Sequence, residues 1–196
     1  MTPGPTRIVL PALVLSPLLA VVFVAAGARA GVGGGDAQAG AAFAAGPAAF
    51  EALAQRLGAP LNVLRVVFDA ETVEIDAQDP RQPMHVNRYR YEQGRLDDGE
   101  PVPVGRNQRQ LEARLFRPEK TDLARLPGLL LRALSDVNAE DGEISHVILE
   151  RDEHQSWVDD RTILTRPLFR VHVSGPRNGG YVEFRLDGTR GRVVRW

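Results

Sequence analysis

The chain reads as an α+β protein: an N-terminal transmembrane or signal helix followed by helix-plus-antiparallel-sheet units. Three observations predict this. An uncharged stretch of 21 residues stands near the N-terminus, apolar residues at helical spacing occur in two later places, and short runs of apolar/polar alternation follow each of those. The repetition suggests a tandem duplication. A single α+β unit without an internal repeat would give the same coarse pattern.

Residues 8–28 read IVLPALVLSPLLAVVFVAAGA, with Arg7 before them and no charge within. A helix of this length spans roughly 30 Å at ~1.5 Å per residue, about one bilayer core. The apolar part of a cleaved export signal is shorter, about 7–15 residues. Against that, Pro11 and Pro17 interrupt the run, and Ala26-Gly27-Ala28 and Ala28-Arg29-Ala30 have the small-x-small form of a cleavage site. Residues 1–30 are therefore expected to be a signal anchor or a signal peptide, with the membrane engaged through residues 8–28. In the first case the protein is anchored in the inner membrane with its C-terminal domain extracytoplasmic. In the second, cleavage near Ala28–Ala30 secretes it to the periplasm or outside.

Hydrophobic residues make up 43% of the 196, enough for a core, and the formal net charge is −1. A near-neutral chain lacks the cationic excess that bulk nucleic-acid binding needs, so no nucleic-acid partner is expected. Lys120 is the only lysine; the other basic residues are arginines. With no cysteine, disulfides, thiol catalysis, cysteine-based zinc sites, iron–sulfur clusters and lipid attachment at a cysteine are excluded. The apolar alternation accounts for a core without a metal or cofactor, and none is expected.

Residues 31–47 (GVGGGDAQAGAAFAAGP) read as a flexible linker, Gly-rich at first and Ala-rich later, where helix is possible. The first α+β repeat spans 48–104. Phe50, Leu53, Ala54 and Leu57 share a helical face that Gly58 ends before Pro60. Strands follow at 61–69, with Leu64, Val66 and Phe68 on one face, and at 73–77, joined as a hairpin through Asp69-Ala70-Glu71. A third strand at 85–92 sets Val86, Arg88 and Arg90 opposite Asn87, Tyr89 and Tyr91, and a weak strand near 102–104 is confined to an edge by Pro101 and Pro103. Residues 105–120 form a polar connection. The second repeat spans 121–196. Thr121 or Asp122 caps a helix with Leu123, Leu126, Leu130, Leu131 and Leu134 as its apolar set. Strands are expected at 144–150, 168–174, 181–186 and 192–196, with a charged loop over 150–166.

The order resembles the PepSY-like and beta-lactamase-inhibitor-protein-like domains of bacterial envelopes. The resemblance is carried by residues 50–58 leading into 61–69, and by Tyr181-Val182-Glu183-Phe184-Arg185-Leu186-Asp187-Gly188 running into Val193-Val194. It covers residues 48–196 in outline; the long 150–166 segment departs from it. It implies a helix packed on an antiparallel sheet, often in tandem, and a binding or inhibitory role, with no catalytic residues carried over.

His85, His146, His154 and His172 show no metal-ligand spacing, and no G-x-S-x-G is present. No catalytic, metal or cofactor residue is assigned. His146 reads as half-buried in the sheet on the face of Ile144 and Ile148, and His172 as solvent-facing. The acidic run Glu150-Arg151-Asp152-Glu153-His154 with Asp159-Asp160 offers oxygen and nitrogen ligands, but it matches no calcium-loop spacing and reads as a solvated loop in which Arg151 and Arg161 offset the acids. The candidate binding face comprises Arg88, Arg90, Arg170, His172 and Arg185. On neighbouring strands they would make a cationic stripe bordered by Tyr89, Tyr91, Trp157 and Tyr181. Alternatively they pair with Glu74, Asp76 and Glu183 across strands. The expected function is a non-enzymatic bacterial envelope protein, membrane-anchored or secreted, that binds another protein or an anionic envelope polymer through its sheet. The alternatives are a hydrolase-like or metal-dependent enzyme using the 150–166 loop, and an accessory subunit of a membrane complex.

Overall fold

The seven main strands lie on the segments whose alternation predicts them, and among the described residues all strands belong to one antiparallel sheet. A computed structural model describes residues 34–104, 108–155 and 162–196. The export segment, residues 1–30, lies outside the described residues, as do Trp157, Asp159 and Asp160. Among the described residues no helix is long and apolar enough to cross a membrane. The described elements are α1 (Gly34–Leu57), β1 (Val63–Phe68), β2 (Thr72–Gln78), β3 (Val86–Glu92), β4 (Arg95–Leu96), β5 (Glu100–Val102), α2 (Gln108–Arg114), α3 (Leu126–Val137), β6 (Glu143–Gln155), β7 (Thr162–Ser174), β8 (Gly179–Arg185) and β9 (Arg190–Arg195).

The strand order is β4-β3-β2-β1-β6-β7-β8-β9, with β5 also on β3. From the central β1–β6 pair the strands run outward in chain order on both sides, so nearly every neighbour is made by a hairpin. Val66, Phe68, Val73, Ile75, Val147, Leu149, Phe169, Val171, Val182 and Phe184 point to one face and form a single buried cluster with Ala49, Phe50 and Leu53 of α1 and Leu126, Leu129 and Ala133 of α3. This is the one-sided burial that an antiparallel sheet permits.

Several expectations need correction. Helix α1 begins at Gly34 and runs through Pro47, so the stretch expected as a linker is helical from there. Pro47 lacks the N–H of one turn, a local cost that the packing of Ala49, Phe50 and Leu53 outweighs. Gly58 ends the helix in a left-handed conformation, φ 64°, its N–H donating to the Ala54 carbonyl at 2.9 Å. The 105–120 connection contains α2 and a 3₁₀ turn, and it buries Leu111 and Phe116. Asp122 caps the 3₁₀ turn Leu123–Arg125, not α3 itself. In α3 the buried set is Leu126, Leu129, Leu130, Ala133 and Val137, while Leu131 is 68% exposed. The expected 150–166 loop is mostly strand: β6 reaches Gln155 and β7 begins at Thr162. His154 lies in β6, paired with Ile163. In β1 the register shifts between Val63 and Arg65. Val63 stays in the core and Leu64 joins Arg65 beside a hollow on the opposite face.

At the far edge β9 approaches β8 so closely that a Cβ on Gly180 would lie 2.1 Å from the Val194 carbonyl oxygen. That contact is with backbone, so the strand pair itself must move to relieve it. Gly180→Ala is expected to destabilise the protein by about 1–3 kcal/mol, the range for overpacking, and to expose the amides of β9 first; hydrogen exchange followed alongside urea unfolding checks both.

Candidate functional site

The second face of the sheet, away from α1 and α3, carries a row of charge that alternates strand by strand. In spatial order the residues are Glu100 (β5), Arg88 (β3), Asp76 (β2), Arg65 (β1), Glu150 (β6), Arg170 (β7), Glu183 (β8) and Arg192 (β9). Strand pairing sets Arg88 opposite both Glu100 and Asp76, Arg65 opposite both Asp76 and Glu150, and Arg170 opposite Glu183. Opposite charges facing across strands in this way stabilise a sheet.

Two carboxylates organise the row, and both are buried: Asp76 is 4% and Glu183 6% exposed. Asp76 takes a forked pair of bonds from Arg88, Nε to Oδ1 at 2.7 Å and Nη2 to Oδ2 at 3.0 Å, and Arg65 Nε stands 3.4 Å from Oδ2. Hydrogen bonding to Asp76 raises the Arg88 pKa above its ordinary value. Glu183 Oε1 accepts from Arg170 Nη2 at 3.1 Å and from Arg192 Nη2 at 2.8 Å, and Arg170 Nη1 donates to Glu150 Oε1 at 2.7 Å. A second rung joins Arg90 Nη2 to Glu74 Oε1 at 2.6 Å.

The structure thus brings all five candidate binding residues, Arg88, Arg90, Arg170, His172 and Arg185, onto one face, but not as a bare cationic stripe. Arg88, Arg90 and Arg170 are each held by carboxylates, the cross-strand alternative. Arg185 is exposed at the end of β8 opposite Leu168. Tyr89 is buried on the helix side and does not border this face. The row was detectable only in part: Glu74 and Asp76 opposite Arg88 and Arg90 follow from the β2–β3 hairpin, whereas Arg65 and Glu150 meet only once β1 and β6 are known to be neighbours.

His172 is not solvent-facing as expected. Its ring stacks on that of His146, centroids 4.2 Å apart and planes within 15°, and continues to Tyr181 at 5.3 Å and from there to Trp196 at 6.1 Å. The guanidinium groups of Arg170 and Arg192 lie over the Tyr181 ring. His146 is half-buried, as expected, on the face of Ile148; the register shift between Ile144 and His146 turns Ile144 into the core. Burial lowers both imidazole pKa values, that of His172 to about 4, with His146 and Arg170 adding to the effect.

Two hollows accompany this face and its opposite. One, about 260 Å³, lies among Leu64, Arg65, Asp76, Arg88, Arg114 and Glu150. On the helix side an apolar cleft of about 480 Å³ runs between α1 and residues 118–124, floored by Phe50, Ala54, Leu61 and Leu123 and edged by Glu51, Glu119 and Asp122. No sequence signal marks either one. Among the described residues no group of three or more His, Asp or Glu side chains is placed to hold a metal ion.

Two outcomes follow. Arg170→Ser removes the cation shared by Glu150 and the buried Glu183, leaving Glu183 with Arg192 alone, and should cost about 3 kcal/mol, the lower end for breaking a buried pair. Arg90→Ser, at a side chain 54% exposed, should cost less than about 1 kcal/mol; urea unfolding of each variant measures the contrast. For the histidine pair, a lowered folded-state pKa means the unfolded chain binds the proton more readily between about pH 6.5 and 4. Stability is therefore full above pH 6.5 and declines as pH falls towards 4, and thermal melts of His172→Asn should show a shallower decline over that window. No protein-family model, curated protein or solved structure matches this chain.

Proposed function

We propose that this chain is an exported, non-enzymatic envelope protein that engages a protein or an anionic polymer through the open face of its sheet. The observation that supports this is the row from Glu100 to Arg192: seven strands and β5 present ordered guanidinium and carboxylate groups on a face that neither α1 nor α3 covers. Arginine held in place loses little freedom when it meets a second acceptor, since its planar fork has five donors and a carboxylate uses two. A paired row fits a partner of mixed charge better than a simple polyanion, because such a partner exchanges ion pairs without stranding Asp76 or Glu183. The export reading rests on residues 1–30, with delivery by anchor or by cleavage.

The same reading includes a tandem duplication of a helix followed by an antiparallel sheet, as in the envelope domains that the sequence resembles. Its support is the meeting of β1 and β6, the first long strand after each of α1 and α3, at the centre of the sheet. The pairs Asp76–Arg88 and Glu183–Arg170 then occupy comparable places in the two halves, one hairpin out from the centre.

The test uses residues whose loss the fold tolerates. The double variant Arg90→Ser/Arg185→Ser should melt within a few degrees of the parent yet lose capture of its partner from intact envelopes, with the chain tagged at its C-terminus. Capture by the parent should weaken with added salt, since exposed charges are screened over ~8–10 Å near physiological ionic strength. Full capture by the double variant sinks the proposal.

A further inference from the structure

We infer that the apolar cleft between α1 and residues 118–124 is a binding site for a small amphiphilic cation, a hydrocarbon or aryl body that carries one ammonium group. The cleft lies on the helix side of the sheet, so the inference is independent of the open-face reading and goes beyond it.

The first ground is size and lining. The cleft measures about 480 Å³, inside the ~300–1,000 Å³ usual for whole organic ligands. Phe50 and Leu61, 6% and 3% exposed, form its apolar floor with half-buried Ala54 and Leu123. A protein partner needs about 800 Å² on each side; a hollow of this volume instead encloses a small molecule.

The second ground is the balance of donors and acceptors. Pro47, Pro60 and Pro118 stand in the walls and have no N–H to offer. The Thr121 N–H already donates to the Pro118 carbonyl at 2.9 Å, and the Ala124 N–H to Asp122 Oδ1 at 3.2 Å. Apart from the Thr121 hydroxyl, every polar side chain lining the cleft is a carboxylate, an acceptor only. The ligand must therefore bring the donor.

The third ground is charge, counted pair by pair. Among the described residues no Arg, Lys or His lines the cleft. Asp122 is already compensated, since its Oδ2 accepts from Arg125 Nε at 3.1 Å. Glu51 accepts only from the neutral Gln55 amide, at 3.2 Å, and the Glu119 side chain has no ion pair among the described residues. Of the basic residues close in sequence, Arg56 bonds Asp98 at 2.7 Å, and Arg117 and Lys120 line a separate hollow beside Asn62 and Leu115. One carboxylate on each wall, Glu51 and Glu119, thus remains for a ligand cation.

The walls are set before a ligand arrives. A Cβ on Gly46 would lie 2.8 Å from Leu123 Cδ1, so α1 is seated directly on the opposite wall. The three prolines fix the backbone around it, which lowers the ordering cost of binding.

The experiment uses the full chain in zwitterionic lipid nanodiscs and probes that share one body: phenylbutylammonium, phenylbutanol and phenylbutyrate at matched ionic strength. Calorimetry and methyl spectra follow binding. Saturable binding is expected, with the ammonium about fivefold tighter than the alcohol, the upper scale of one exposed ion pair, and the carboxylate weakest. The methyl signals of Ala54, Leu61 and Leu123 should shift, and those of Val193 and Val194 in β9 should not. The double variant Glu51→Gln/Glu119→Gln, at two exposed residues, should melt within a few degrees of the parent and bind the ammonium and the alcohol alike. Should it fail to fold, the methyl shifts and the order of the three probes on the unaltered chain decide. Absence of saturable binding, equal affinity for the three probes, or unmoved Ala54, Leu61 and Leu123 signals overturns the site. So does a folded double variant that keeps the ammonium preference. Tight binding of an amphipathic peptide bearing Leu and Lys, with all three small probes inert, also overturns it and gives the cleft to a partner helix.

Discussion

Everything on the open face depends on two carboxylates that have almost no contact with water. Asp76 and Glu183 are withdrawn into the sheet, and a buried carboxylate is tolerable only where cations and donors surround it. Each is met by two arginines, and Arg88 and Arg170 in turn reach Glu74 and Glu150, so the requirement spreads from strand to strand. The desolvation of such ions offsets much of their attraction. The row therefore adds less to net stability than its short distances suggest. What it does add is a penalty for misalignment: a one-residue slip in any strand would send its charged residue into the core and an apolar one outward. The apolar cluster supplies the driving force for folding, and the charged row selects the register.

How much of this is legible in the sequence follows from how local each feature is. Strand alternation in β2, β3 and β8 depends on period two within a few residues, and those strands are found where the pattern places them. Gly58, Asn138 and Pro127 mark helix ends by their own backbone chemistry. Features that fail are those that need a distant partner. Gly34 to Pro47 looks like linker by composition, and its helical state depends on neighbours such as Leu123 and Phe68, against which Gly46 is packed. The charged residues flanking 156–161 look like loop because solvated charge and a two-stranded arm share a composition. The bulges at Leu64 and Ser145 each reverse a facing that strict alternation assigns, placing Leu64 outward and Ile144 inward.

The candidate face shows the same division. The residue set Arg88, Arg90, Arg170, His172 and Arg185 does share a face, because that follows from alternation once the strands are neighbours. Its chemical state does not follow, because ion pairing depends on register across strands. The stacking of His172 on His146 likewise needs the β6–β7 pairing, which joins residues far apart in sequence.

The central β1–β6 pair has a kinetic consequence. Every other ladder closes a short loop, so the two arms of the sheet can form early and independently, whereas β1 must wait for a strand made much later in synthesis. Until then β1 offers an unpaired, apolar edge of Val63, Val66 and Phe68, the kind of template on which chains misassociate. Two copies at that stage can also exchange halves, β1 of one accepting β6 of the other, which makes an intertwined dimer the characteristic off-pathway product of this topology.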